Sequence, residues 1–320
     1  MPTYAATLED VQAAARRIAP HAHHTPVITC RTLNEMAGRK LFFKCEQFQK
    51  VGAFKFRGAC SAVMKLADDV AERGVVTHSS GNHAQALALA ARLREIPAHI
   101  VMPTNAPAVK RAAVAGYWAN IIDCPPTQAD REATADRVAQ ETGGTLIHPY
   151  DNADIIAGQG TVALGLLSEV ATLDAILAPI GGGGRLRGIS IAAQELYPEI
   201  RSFAGAPSGA YDAARSLAAG RRVTNESVDT IADGLRTNLG EHTWPIIRDH
   251  VEAIITVSDE EITRAMQLLW ERAKLLVEPS AAVPLAAVLS EQFKSLSDMQ
   301  QIGIVLSGGN VDLSAFAMAS

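Results

Sequence analysis

The stretch VVTHSSGNHAQALALAARL, Val75 to Leu93, decides the fold. Val75 to His78 is short, apolar and rich in β-branched residues, which suits a strand buried on both faces. Ser79-Ser80-Gly81 breaks the run, and from Asn82 to Leu93 alanine and leucine extend over a helical length instead of alternating. A second apolar run, Ala98 to Met102, follows closely. Strand, polar turn, helix, strand is a βαβ unit, which joins two parallel strands through a covering helix.

The alternation continues outward from this unit. Towards the N-terminus, Lys40 to Glu46 reads as strand and Phe56 to Leu66 as helix. Towards the C-terminus come Ala106 to Ala115 (helix), Asn120 to Cys124 (strand), Gln128 to Thr142 (helix) and Thr145 to His148 (strand). Thr161 to Val170 (helix), Ala175 to Pro179 (strand), Arg187 to Leu196 (helix) and Arg201 to Gly205 (strand) continue it. A polar, loop-rich segment spans Ala210 to Gly240; beyond it Ile254 to Val257 (strand) precedes a long helix, Asp259 to Lys274, and Gln301 to Leu306 is a last buried strand. At the other end, Thr7-x-x-Asp10 resembles a capping box opening a helix to about Ile18. The expected class is α/β, with open, twisted, mostly parallel sheets in two lobes and helices on both faces.

Composition bounds the function. The chain has 320 residues, 48% hydrophobic, with 29 Lys plus Arg against 34 Asp plus Glu and a net charge of −5. That length can bury a sizeable core, and the absence of a basic block argues against a nucleic-acid partner. The longest apolar stretches, Ala84 to Ala91 and Ala281 to Leu289, are too short to span a bilayer. The N-terminus has neither the basic and apolar regions of a secretory signal nor the acid-poor character of a transit peptide, so the cytoplasm is expected. Cys30, Cys45, Cys60 and Cys124 contain no Cys-x-x-Cys pair and read as reduced packing residues. His21, His23 and His24 lack Cys or carboxylate neighbours and read as a solvated turn.

Chemistry is expected where strands end. Gly181-Gly182-Gly183-Gly184 lies directly between a strand and a helix, so its backbone N–H groups and the helix N-terminus can cradle an anion, a phosphate above all. No Gly-Lys-Ser/Thr follows, and the dinucleotide Gly-x-Gly-x-x-Gly spacing is missing. Ser79-Ser80-Gly81-Asn82-His83 offers hydroxyl, amide and N-terminal N–H groups for a carboxylate; as a helix cap alone it would need no other explanation. Lys55, between Phe54 and Phe56, can be held desolvated with a neutral amine, as Schiff-base chemistry requires, or can be a helix-start lysine facing water. Ser307-Gly308-Gly309-Asn310 follows the last strand and offers a hydroxyl to a ring nitrogen. A phosphate cradle, a Schiff-base lysine and polar strand ends together describe a pyridoxal 5'-phosphate site.

These segments, with Lys44-Cys45-Glu46, the run Gln49 to Ala59 and Glu278-Pro279-Ser280-Ala281, resemble the serine racemase and serine/threonine dehydratase family, which includes threo-3-hydroxyaspartate ammonia-lyase. The resemblance runs from Thr7 to Leu313 and implies the fold type II, tryptophan synthase β-like architecture. It implies a large cofactor-binding domain (1–68 and 151–320), a small inserted, mobile domain (69–150) and a homodimer. It makes Lys55 the Schiff-base lysine and Ser80 the acid/base on the opposite face. Phe54 would pack on the pyridine ring, Asn82 would bond the ring hydroxyl, Gly181 to Gly184 would hold the phosphate, and Ser307 would meet the ring nitrogen, with Glu278 among the cofactor residues. Ser79, Ser80, Asn82, His83 and Arg131 would meet an amino acid substrate. The implied activity is loss of water and ammonia from a β-hydroxy amino acid, threo-3-hydroxyaspartate, serine or threonine, to give a keto acid. Alternatives are racemisation in the same site, a redirected amine addition, and a ligand-binding module without catalysis.

Several positions depart from the family pattern. A divalent cation such as Mg²⁺ would take an acidic residue, a backbone carbonyl and an aspartate; Ala210 and Asp212 match, but Ala206 replaces the acid. Arg185 and Arg187 stand where small or apolar residues are expected, Trp118 and Gly165 replace small and acidic residues, and Pro284 falls inside a helix. Such breaks imply altered specificity or an engineered change. Arg185 is a candidate partner for a second acidic group on the substrate; facing solvent at a helix start is the alternative.

Overall fold

The computed structural model describes residues 4–313. Among the described residues, ten strands form two sheets. The strands are β1 (Val27–Ile28), β2 (Lys40–Cys45), β3 (Val75–His78), β4 (Ala98–Pro103), β5 (Asn120–Cys124), β6 (Thr145–Leu146), β7 (Ala175–Pro179), β8 (Arg201–Pro207), β9 (Val251–Val257) and β10 (Gln301–Leu306). One sheet has the order β1-β2-β10-β7-β8-β9 and the other β5-β4-β3-β6. Every pairing is parallel except β1 with β2. The α/β class with two mostly parallel sheets is therefore present, and the covering helices explain why strands such as β3 and β7 are buried along their whole length.

Several helices differ in extent from their sequence reading. The helix placed at Thr161 to Val170 runs from Ala153 to Glu169, with the Asn152 side chain accepting from the N–H groups of Asp154 and Ile155. Gly158 and Gly160 lie inside it and look like breakers in sequence, yet they serve packing. A Cβ on Gly158 would lie 2.6 Å from the Gly58 Cα, and one on Gly188 would lie 2.6 Å from the Gly160 amide nitrogen. Bare backbone lets the helices Lys55–Lys65 and Gly184–Leu196 press onto this central helix. The lysine and the glycine cradle are thereby anchored to one rigid element.

The long helix placed at Asp259 to Lys274 is α-helical only to Leu268; Leu269–Ala273 forms a π turn, and Lys274 is left-handed at φ 61°. Strand β1 and the helix Arg31–Ala37 are additions. The N-terminal helix Leu8–Ile18 opens with a complete Thr7/Asp10 capping box, as its sequence suggests. Among the described residues, no helix is long and apolar enough to cross a membrane.

Candidate active site

The carboxyl ends of the strands converge on a cavity of about 490 Å³. After β2, two short 3₁₀ turns lead to the helix that opens with Lys55. Ser79–His83 follows β3, Gly181–Gly184 follows β7, and Ser307 follows β10. Phe54, Lys55, Ser80, Asn82, Arg185 and Ser307 all line the cavity. So do Ser79, His83, Arg131, Glu278 and the four glycines. The residues named for cofactor and substrate are thus brought to one place.

The cradle has the chemistry of an anion site. Gly183, at φ 89°, caps the helix Gly184–Leu196, and among the described residues nothing accepts from the N–H groups of Gly181 to Gly184. Free amides at the start of a helix favour negative charge. The loop rests on Tyr150: a Cβ at Gly182 would lie 2.4 Å from its ring, and one at Gly184 2.5 Å from its carbonyl oxygen. Tyr150 is fixed in turn, its hydroxyl accepting from Thr237 Oγ1 at 3.0 Å and its ring meeting His148 edge-on at 4.5 Å. A phosphate fits this loop, and larger side chains would not.

Lys55 donates from Nζ to the Pro149 carbonyl at 2.8 Å. Burial pushes its pKa down to about 7; the nearby Arg185 cation lowers it further while Glu278 opposes the shift. A substantial neutral fraction at neutral pH is what a lysine nucleophile or base needs. Glu278 accepts from Asn82 Nδ2 at 3.0 and 3.1 Å and from the Asn310 N–H at 3.2 Å. Burial, reinforced by Asp233, raises its pKa to about 7. Asn82 Oδ1 also accepts from Asn310 Nδ2 at 2.8 Å, so the Asn82 side chain is held by groups far away in sequence.

The remaining polar groups vary in how firmly they are held. Ser79 Oγ accepts from the Gly81 N–H at 3.3 Å. His83 approaches the Ile147 carbonyl through Nε2 at 3.4 Å, its buried Nδ1 has no partner, and burial keeps it neutral with Lys55 adding to the effect. Arg131 donates to the Pro126 carbonyl at 2.9 Å while lining the cavity. Phe54 shares its ring with two cations: the Arg185 guanidinium carbon is 4.2 Å and the Lys55 amine 5.4 Å from the centroid. Tyr150, Pro149, Thr237 and Asp233 are site residues without a local motif.

The residues suggested for a divalent cation do not fit one. Ala206 contributes no side-chain oxygen, and both Asp212 oxygens are engaged, by Asn225 Nδ2 at 2.9 Å and the Leu239 N–H at 2.7 Å. Among the described residues, no group of three or more His, Cys, Asp or Glu could hold a metal. Asp212 here pins two loop segments.

Comparison with known proteins agrees with this geometry. The chain is 52% identical over 313 residues to a serine racemase of Arabidopsis thaliana, covering 97% of this chain and 95% of the relative. It is 47% identical over 312 residues to a β-hydroxyaspartate dehydratase of Paracoccus denitrificans, covering 97% and 98%. The maize serine racemase structure superposes with a TM-score of 0.97 at 50% identity, covering 98% and 96% of the two chains. The family model described as pyridoxal-phosphate dependent enzyme matches residues 18–308, so the chain belongs to that family.

Proposed function

We propose that the protein is a lyase removing water and ammonia from a β-hydroxy amino acid, with threo-3-hydroxyaspartate and serine as first substrates and threonine next. The observation that carries this reading is a single cavity lined by the Lys55 amine, the free amides of Gly181–Gly184 and the Ser80 hydroxyl. Pyridoxal phosphate bound there supplies an electron sink that lets the α-C–H bond of a joined amino acid break. Gly181–Gly184 and the helix behind them hold its phosphate. Ser307, at the end of β10, offers a neutral hydroxyl to its ring nitrogen. Phe54, Asn82 and Glu278 frame the ring.

Lys55, with its amine partly neutral at pH 7, takes the α-proton. The hydroxyl and amide groups of Ser79, Ser80, Asn82 and His83 orient the substrate carboxylate, and Arg131 adds positive charge from the rim. Overall the β-hydroxyl leaves as water, one water is added back, and the nitrogen leaves as ammonia, so the product is a keto acid. Residues 69–150, which carry Ser79–His83 and Arg131, form the lobe that closes against 1–68 and 151–320.

Racemisation is the second reading. Ser80 Oγ makes no hydrogen bond among the described residues and faces the same cavity as Lys55, so it can deliver a proton to the α-carbon from another side. The relatives named serine racemase support it. Keto acid, ammonia and chiral analysis over serine, threonine and 3-hydroxyaspartate isomers tests both. Lys55→Ala should lose both activities by ~10³-fold, within the range for a catalytic acid/base. Ser80→Ala should lose racemisation by ~10²-fold with much smaller loss of elimination. Turnover persisting in Lys55→Ala would exclude the proposal.

A further inference from the structure

Arg185 is the second residue of the helix whose N-terminus forms the glycine cradle, and the residue is 7% exposed. It stacks on the Phe54 ring, donates through Nη2 to the Pro179 carbonyl, and lines the same cavity as Lys55. Its Nε is buried with no partner, and it forms no ion pair among the described residues. A buried guanidinium held by one carbonyl and one aromatic face lacks the counter-charge that normally compensates its desolvation. Glu278, the carboxylate whose field acts most on Arg185, makes no ion pair with it and is hydrogen-bonded to Asn82 and Asn310.

We propose that Arg185 is an oxyanion-pairing residue of the ligand site, a fork that takes a phosphate or carboxylate oxygen of the bound molecule and so favours ligands with an additional negative charge. Two sources share that chemistry: the phosphate beside the cradle, and the side-chain carboxylate of a dicarboxylic amino acid. A planar guanidinium suits either through paired N–H donors. Burial draws the Arg185 pKa down to about 9, so the guanidinium is still charged at neutral pH, and an anion seated against it would offset the cost of burying that charge. The assignment rests on the proposed amino acid lyase reading for its second source and on the cradle alone for its first.

The experiment compares wild type with Arg185→Leu in two arms. In the first, apo-protein is titrated with pyridoxal phosphate and with pyridoxal, reading tryptophan fluorescence and thermal stabilisation. In the second, holoprotein is titrated with succinate and propionate as competitors, and the ratio of kcat/KM for threo-3-hydroxyaspartate to that for serine is measured. The proposal predicts that Arg185→Leu lowers at least one anion preference, phosphate over no phosphate or dicarboxylate over monocarboxylate, by tenfold or more. Arg185→Lys, which keeps the charge and loses the fork, should fall between. Equal losses for both members of each pair would overturn it. Should Arg185→Leu not fold, Arg185→Lys carries the same test, and wild type lacking both preferences would overturn it alone. A wild type that prefers phosphate or succinate but turns over no amino acid would sink the lyase reading and leave Arg185 standing.

Discussion

At Glu278 and Lys55 burial acts on two charges of opposite sign and brings both pKa values to about 7. For Glu278 the folded value lies above the unfolded 4.5. Its contribution to stability is complete below that value and is lost as pH rises through about 7. For Lys55 the folded value lies below 10.5, so its contribution is complete only above that value and is lost as pH falls through about 7. Both effects weaken the apo-protein near neutrality, where a bound cofactor has most to offset. Burial lowers the pKa values of His83 and His148, which pushes stability the opposite way over the same range, so the Glu278 contribution is read as a difference: the Tm of apo Glu278→Gln relative to wild type is predicted to rise between about pH 5 and 7. A Tm difference that stays constant across that range would remove Glu278 as a titrating contributor. Lys55 was legible because an amine between two phenylalanines suggests a desolvated base. The Glu278–Asn82 contact was not, since its partners are 196 positions apart and only the fold brings them together.

Among the elements, the glycine cradle was the most legible, because four glycines between a strand and a helix have few other physical uses. The central helix Ala153–Glu169 was the least. Its glycines read as interruptions until the close crossings at Gly58 and Gly188 explain them. Gly165, where an acid was expected, leaves its own mark. A Cβ there would lie 3.0 Å from the buried Lys44 amine, which pairs instead with Glu169, one turn later, at 3.2 Å. The buried helix Pro279–Leu289 begins at the site and carries Pro284 in its interior. Proline there removes a helical N–H donor and clashes with the preceding turn, at a cost of about 3 kcal/mol. Replacing it with alanine leaves a void of two carbons, about 1.6 kcal/mol of lost burial. The first effect wins, so Pro284→Ala is predicted to raise unfolding stability by about 1–2 kcal/mol. Urea denaturation of the two proteins checks this, and a destabilised variant would show that the helix has adapted to its proline.

Across the whole molecule, the net charge of −5 speaks to partners such as nucleic acid and hides the polarity of the cavity. There Lys55, Arg131, Arg185 and the amides of Gly181–Gly184 gather at the carboxyl ends of parallel strands. The parallel α/β class was readable from the alternation of strand and helix, whereas the strand order β1-β2-β10-β7-β8-β9 was not, because a central place for the last strand leaves no local trace. That order is what sets Ser307 beside Phe54, whose N–H donates to the Ser307 carbonyl at 3.0 Å. We propose that this convergence makes Lys55 the lysine that bonds the cofactor. Incubation with pyridoxal phosphate, reduction with borohydride, digestion and mass spectrometry test it directly. Stoichiometric label on the peptide containing Lys55, lost in Lys55→Ala, is the expected result. Label spread over surface lysines such as Lys274 and Lys294, with Lys55 unmodified, would contradict it.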